Sequence, residues 1–164
     1  MSESRLDGRA AETRGVIRLD TMNTEISTTS LRDALRENAV LGQALERLPT
    51  SSLPDWYIGA GCVAQTVWNL LSGQDPNRGI KDYDIVYYSE DLSERGEADV
   101  SAQLQATLAD LKVRIDVKNQ ARVHLWYRRR FGYGVVPYTS SADRISTWPS
   151  KDTAVGVRRR ANEA

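Results

Sequence analysis

The sequence predicts a small α/β unit of the α+β class. Three observations predict it. Helical and strand-like hydrophobic periods alternate along the chain. A glycine turn, Gly59-Ala60-Gly61, joins a short apolar run to a helical one. Two later runs, one opening on Asp82-Tyr83-Asp84 and one centred on Asp116, set carboxylates among β-branched and aromatic residues.

The elements follow in order. Residues 1–28 are polar, with no period beyond Val16-Ile17, and are expected to form a loose tail or an extra strand or turn. The 164 residues suit one domain, placed at 29–164. Leu31, Ala34, Leu35, Leu41, Leu45 and Leu48 recur at helical spacing, which predicts one amphipathic helix from Ser30 to Leu48. Ser30 with Asp33 reads as its N-terminal cap, and Pro49 closes its far end. Trp56-Tyr57-Ile58 predicts a short strand.

After the glycine turn, Val63, Val67, Leu70 and Leu71 predict a second helix from Cys62 to Leu71, with Gly73 free to cap it. Gln74 to Ile80 reads as a loop around Pro76 and Gly79, and Asp82 to Tyr88 as a strand. Ser89 to Gly96 is charged and reads as a loop. Val100, Leu104, Leu108 and Leu111 predict a third helix. Val113, Ile115 and Val117 alternate with Arg114, Asp116 and Lys118, so a strand follows. From Trp126 onward the pattern is irregular and aromatic, and short helical turns are expected.

Composition narrows the function classes. No apolar run approaches the ~20 residues of a membrane span. The N-terminus lacks the apolar core of a secretory signal, and Cys62 is the sole cysteine, so a reducing cytoplasm is expected. His124 is the sole histidine and cannot build a multi-His site. Metal ligands would therefore be carboxylates, which favour Mg²⁺ or Mn²⁺. Net charge is zero, yet residues 117–164 hold 10 Lys and Arg against 3 Asp and Glu. That segment carries +7 and the rest −7. The split fits either solvated charge or a polyanion held between bound cations and arginines.

The candidate site grows out of strand geometry. Asp82 and Asp84 share a face, with Cα atoms roughly 6–7 Å apart. Like charges that close persist most easily around a cation. Asp116 points away from Ile115 and Val117, as does Arg114. If the two strands are neighbours, three carboxylates converge. The glycine turn opens onto a helix N-terminus, where backbone amides favour phosphate. Each feature also has an ordinary reading, as a plain turn or a solvated strand face.

Together the blocks Gly59–Asn69, Asp82–Tyr88, Asn119–Trp126, Trp148-Pro149 and Ala154–Arg158 resemble a bacterial nucleotidyltransferase-like family within the polymerase-β-type nucleotidyltransferase superfamily. The resemblance spans about residues 52–158. It implies a mixed β-sheet of the nucleotidyltransferase type with helices packed on one face. It implies a two-metal transfer of a nucleoside monophosphate from a nucleoside triphosphate such as ATP to a hydroxyl acceptor. Asp82, Asp84 and Asp116 would be the catalytic and metal-binding carboxylates. Gly59, Ala60, Gly61, Gln65 and Arg122 would bind the nucleotide. The acceptor (a small molecule, RNA or protein) stays open.

Three departures stand out. The superfamily turn carries a second glycine or a serine, whereas Ala60-Gly61 offers no hydroxyl, so backbone amides, alone or helped by Gln65 or Thr66, must serve. The gap from Gly61 to Asp82 is also long. In addition, the chain ends soon after Arg158, and a shortened C-terminus is expected to cost a strand or substrate contacts. The alternative reading is a catalytically degenerate nucleotide-binding or interaction module. A carboxylate nuclease is weaker, because it needs no triphosphate cradle.

Overall fold

The computed structural model describes residues 17–19, 24–26, 28–48 and 52–159. Residues 17–19 and 24–26 pair as an antiparallel hairpin, β1 (Ile17–Leu19) and β2 (Thr24–Ile26), with Ile17 opposite Ile26. They fall in the stretch expected to be either a loose tail or an extra strand or turn. Residues 1–16 lie outside the described residues, as does Pro49.

The single helix expected from Ser30 to Leu48 is two helices, α1 (Thr28–Glu37) and α2 (Ala39–Arg47). Ser30 therefore lies inside α1 rather than ahead of its first residue. The break is at Asn38, and its cause is hydrogen bonding. The Asn38 backbone is extended, and its side-chain oxygen accepts from the Val40 and Leu41 amides, which starts α2. Its amide nitrogen donates to Thr66 Oγ1 at 2.9 Å and Tyr83 Oη at 3.1 Å. One buried amide thus joins the helix break to two other elements.

Those elements belong to the central layer. β3 (Tyr57–Gly59) turns into α3 (Gly61–Leu71), and β4 (Asp82–Tyr87) follows. The loop between is tied down by Asn69, whose side chain donates to the Pro76 and Arg78 carbonyls. α4 (Glu94–Thr107) starts before the expected helix, inside the stretch read as a loop. Ser93 caps it by accepting from the Gly96 amide, and Glu94 and Glu97 suit the positive end of the helix dipole. β5 (Arg114–Asn119), α5 (Val123–Phe131), α6 (Ser141–Ser146) and β6 (Gly156–Val157) complete the order. The irregular aromatic stretch thus holds a nine-residue helix and an edge strand as well as short turns.

Among the described residues, four strands form one mixed sheet in the order β5-β4-β3-β6. β4 and β5 run parallel, and β3 is antiparallel to both β4 and β6. Ile58, Tyr83, Ile85, Tyr87 and Val117 face one side and join Leu35, Leu41, Leu48, Val63, Val67, Leu104 and Leu108 in the main core. Burying one such aliphatic side chain contributes about 1.5–3 kcal/mol. The first four helices therefore cover that face. The opposite face carries Asp82, Asp84 and Asp116. It is partly covered as well, by Ile145 of α6 and by Trp148, which lie over Gly156 and Gly59.

Candidate active site

Residues paired across a sheet share a face. β6, β3, β4 and β5 place Gly156, Gly59, Asp84 and Asp116 in one row, each paired with the next. One step along the strands, Asp82 pairs with Arg114, and Val86 pairs with Lys118. The three aspartates share a face, with Arg114 and Lys118 beside them. Lys118 was not singled out from the sequence, although period-two spacing from Asp116 puts it on that face.

The glycines of the row are steric requirements. A Cβ on Gly59 would lie 2.9 Å from Trp148 Cη2 and 2.9 Å from the Val155 carbonyl oxygen. The Trp148 indole thus forms a wall directly beside Asp84. Gly61 differs, since a Cβ there meets nothing within 4 Å. Open space lies where a Gly61 side chain would stand, at the first residue of α3.

Ala60, between them, has φ 58° and ψ −139°, a conformation that favours glycine. Its amide donates to the Val155 carbonyl at 2.9 Å, which holds the turn against the strand edge. No side chain caps α3. Its first-turn amides are the donors a helix start leaves for anions. Cys62, in that turn, donates its thiol to the Gly59 carbonyl at 3.1 Å. Burial pushes that thiol up to about 12, so it is protonated and inert.

Charge crowding marks Asp84. Burial, then the neighbouring Asp82 and Asp116 carboxylates, raise its pKa to about 6, against a smaller opposing pull from Arg114. Asp116 accepts an ion pair from Lys118 at 3.4 Å, with both side chains nearly half exposed. Among the described residues, no group of three His, Cys, Asp or Glu side chains is gathered closely enough to hold a metal ion. The donor chemistry nevertheless fits a hard divalent cation: the ligands are all carboxylate oxygens, and their repulsion at Asp84 is what such a cation relieves.

The two other expected nucleotide-binding side chains, Gln65 and Arg122, are engaged elsewhere, as are their neighbours Thr66 and Asn119. Gln65 donates to Asn69 Oδ1 at 2.8 Å along α3. Thr66 donates to the Cys62 carbonyl. The Arg122 guanidinium, 9% exposed, pairs with Glu97 at 2.6 Å and donates through Nε to the Leu92 carbonyl. It ties α4 to the end of β5. Asn119 is a structural junction that bonds Ser89, Asp91 and Ala121. The glycine turn, the α3 amides and the three aspartates remain as the chemistry-bearing set on one face.

Three comparisons bear on this arrangement. A sequence model described as Nucleotidyltransferase matches residues 46–164. A solved structure whose description reads "The NMR structure of the protein reveals a CCA-adding enzyme head domain" superposes with a TM-score of 0.64 at 27% identity. The match covers 80% of this chain and 65% of that one. No curated protein matches the sequence.

Proposed function

The chain belongs to a nucleotidyltransferase family, and from that premise we propose that it moves a nucleoside monophosphate from a nucleoside triphosphate to a hydroxyl acceptor. One observation carries the reading. The pairing Gly59–Asp84–Asp116 sets an uncapped helix start and open space beside a crowded carboxylate row.

In this reading the α3 amides and the glycine turn hold the triphosphate, and Trp148 bounds it on one side. Asp82, Asp84 and Asp116 hold Mg²⁺ or Mn²⁺, which when bound neutralises charge on the phosphates and on the attacking and leaving oxygens. Asp116, at the neighbouring strand, accepts the proton of the acceptor hydroxyl. The hydroxyl oxygen bonds to the α-phosphorus as the bond to the bridging oxygen breaks, and pyrophosphate leaves. Gln65 and Arg122 support the scaffold around this set rather than touch the nucleotide. The unit is a single domain from residue 29 onward. Among the described residues no helix is long and apolar enough to cross a membrane.

The test is pyrophosphate release over a panel of triphosphates and acceptors with Mg²⁺. Release that depends on both divalent ion and acceptor supports transfer. A second reading, binding without turnover, is favoured by the Asp116–Lys118 ion pair and by the missing turn hydroxyl. Triphosphate binding with no release under any acceptor would establish it.

A further inference from the structure

We infer that Arg144 is the anchor of a second, anion-binding site between α5 and α6. Three buried side-chain polar atoms lack any hydrogen-bond partner among the described residues: His124 Nδ1, Ser141 Oγ and Arg144 Nε. All three belong to this helix pair. Ser141 and Arg144 are one turn apart on α6. His124 is one turn before Tyr127 on α5, and the Arg144 guanidinium lies over the Tyr127 ring at 5.6 Å. Orphaned buried polar atoms are rare, and three on two helices in contact point to a missing partner.

The charge decides what that partner is. Arg144 is 9% exposed, and no carboxylate among the described residues pairs with it. Its Nη1 reaches only neutral hydroxyls, Thr147 Oγ1 at 3.1 Å and Tyr138 Oη at 3.5 Å. Two rings flank it, Tyr127 and, at 5.2 Å, Tyr138. Water could satisfy Ser141 and His124 but would leave a buried cation without a counter-charge. Burying an unneutralised guanidinium is strongly unfavourable. An oxyanion on its planar fork removes that penalty, and carboxylate and phosphate both match the fork.

The chain links the site to the carboxylate face. Thr147, which holds Arg144 Nη1, is followed directly by Trp148, the wall over Gly59 beside Asp84. On the nucleotidyl-transfer reading, that oxyanion is a phosphate group of the substrate. This deepens the nucleotidyl-transfer reading and rests on it for the substrate, though not for the site itself.

The experiment is a thermal-shift and calorimetric titration of the whole chain with inorganic phosphate and with tripolyphosphate, without divalent ion or acceptor. Wild type is expected to gain thermal stability. Arg144→Met should weaken binding at least tenfold while folding as well as wild type in plain buffer. Arg144→Lys, which keeps the charge and loses the fork, should bind weakly and serves if Arg144→Met does not fold. Arg95→Met, which removes an exposed arginine from α4, should bind as wild type. If only the phosphate response depends on Arg144, the group belongs to the acceptor; if only the tripolyphosphate response does, it belongs to the donor. Equal responses in wild type and the Arg144 variants, or no response in wild type, would overturn the site. Because no transfer is measured, neither result bears on whether the aspartates catalyse.

Discussion

Gly59 and Asp84 are direct cross-strand partners, and the space that a Gly59 side chain would occupy holds the Trp148 ring instead. The carboxylate face is thereby walled by an indole on one side and by Asp116 on the other.

Gly59→Ala tests that wall. The new Cβ meets an indole carbon and a backbone oxygen, each at 2.9 Å, and the oxygen belongs to the edge that holds Ala60. Such overpacking costs about 1–3 kcal/mol. Thermal unfolding should show a loss of several degrees, and an unchanged midpoint would show that the wall yields freely.

Asp84→Asn separates stability from function. The Asp84 carboxyl titrates near 6 in the fold and near 3.8 when free. Between those values the folded state binds more protons, so its stability is full below the lower value and is lost as pH rises through about 6. Removing the charge should stabilise the metal-free protein at pH 8 by about 1–2 kcal/mol, after discount for partial exposure. The gain should vanish only below the free value of 3.8, at about pH 3. Denaturant unfolding at both pH values checks this, and a loss of stability at pH 8 would contradict it.

Lys118→Met should release the Asp116 carboxylate. The ion pair is half exposed and is worth about 0.2–1 kcal/mol. Titration with Mn²⁺, followed by electron paramagnetic resonance, should show affinity rising by up to about fivefold. Weaker binding would mean that Lys118 helps shape the site rather than competing for it.

Arg122→Met should act on the fold. It leaves Glu97, which is 15% exposed, without its cation and leaves the Leu92 carbonyl without its donor. Breaking such a buried pair costs about 3–5 kcal/mol. Unfolding midpoints should drop sharply, while triphosphate affinity of the folded fraction stays unchanged. A selective loss of triphosphate binding would return Arg122 to the nucleotide site.

What the sequence disclosed follows its periodicity. The period-two pattern fixed the faces of Asp82, Asp84 and Asp116, and turn chemistry located Gly59 to Gly61. Features that depend on long-range partners were hidden. The break at Asn38 is decided by Thr66 and Tyr83, which lie 28 and 45 residues away. The engagement of Arg122 is decided by Glu97, at the start of a helix that the charged run concealed. The Ser93 cap was readable three residues before Gly96, but the glycine there masked it. Neither the Trp148 wall nor the bare charge of Arg144 leaves any periodic trace.

The most direct measurement is transfer of label from an α-phosphate-labelled triphosphate, with Mg²⁺ and cell extract as the source of acceptor. Wild type should label an acceptor and release pyrophosphate, and a folded protein carrying both Asp82→Asn and Asp84→Asn should do neither. Undiminished labelling by that double variant would show that the carboxylate row is not the seat of the chemistry.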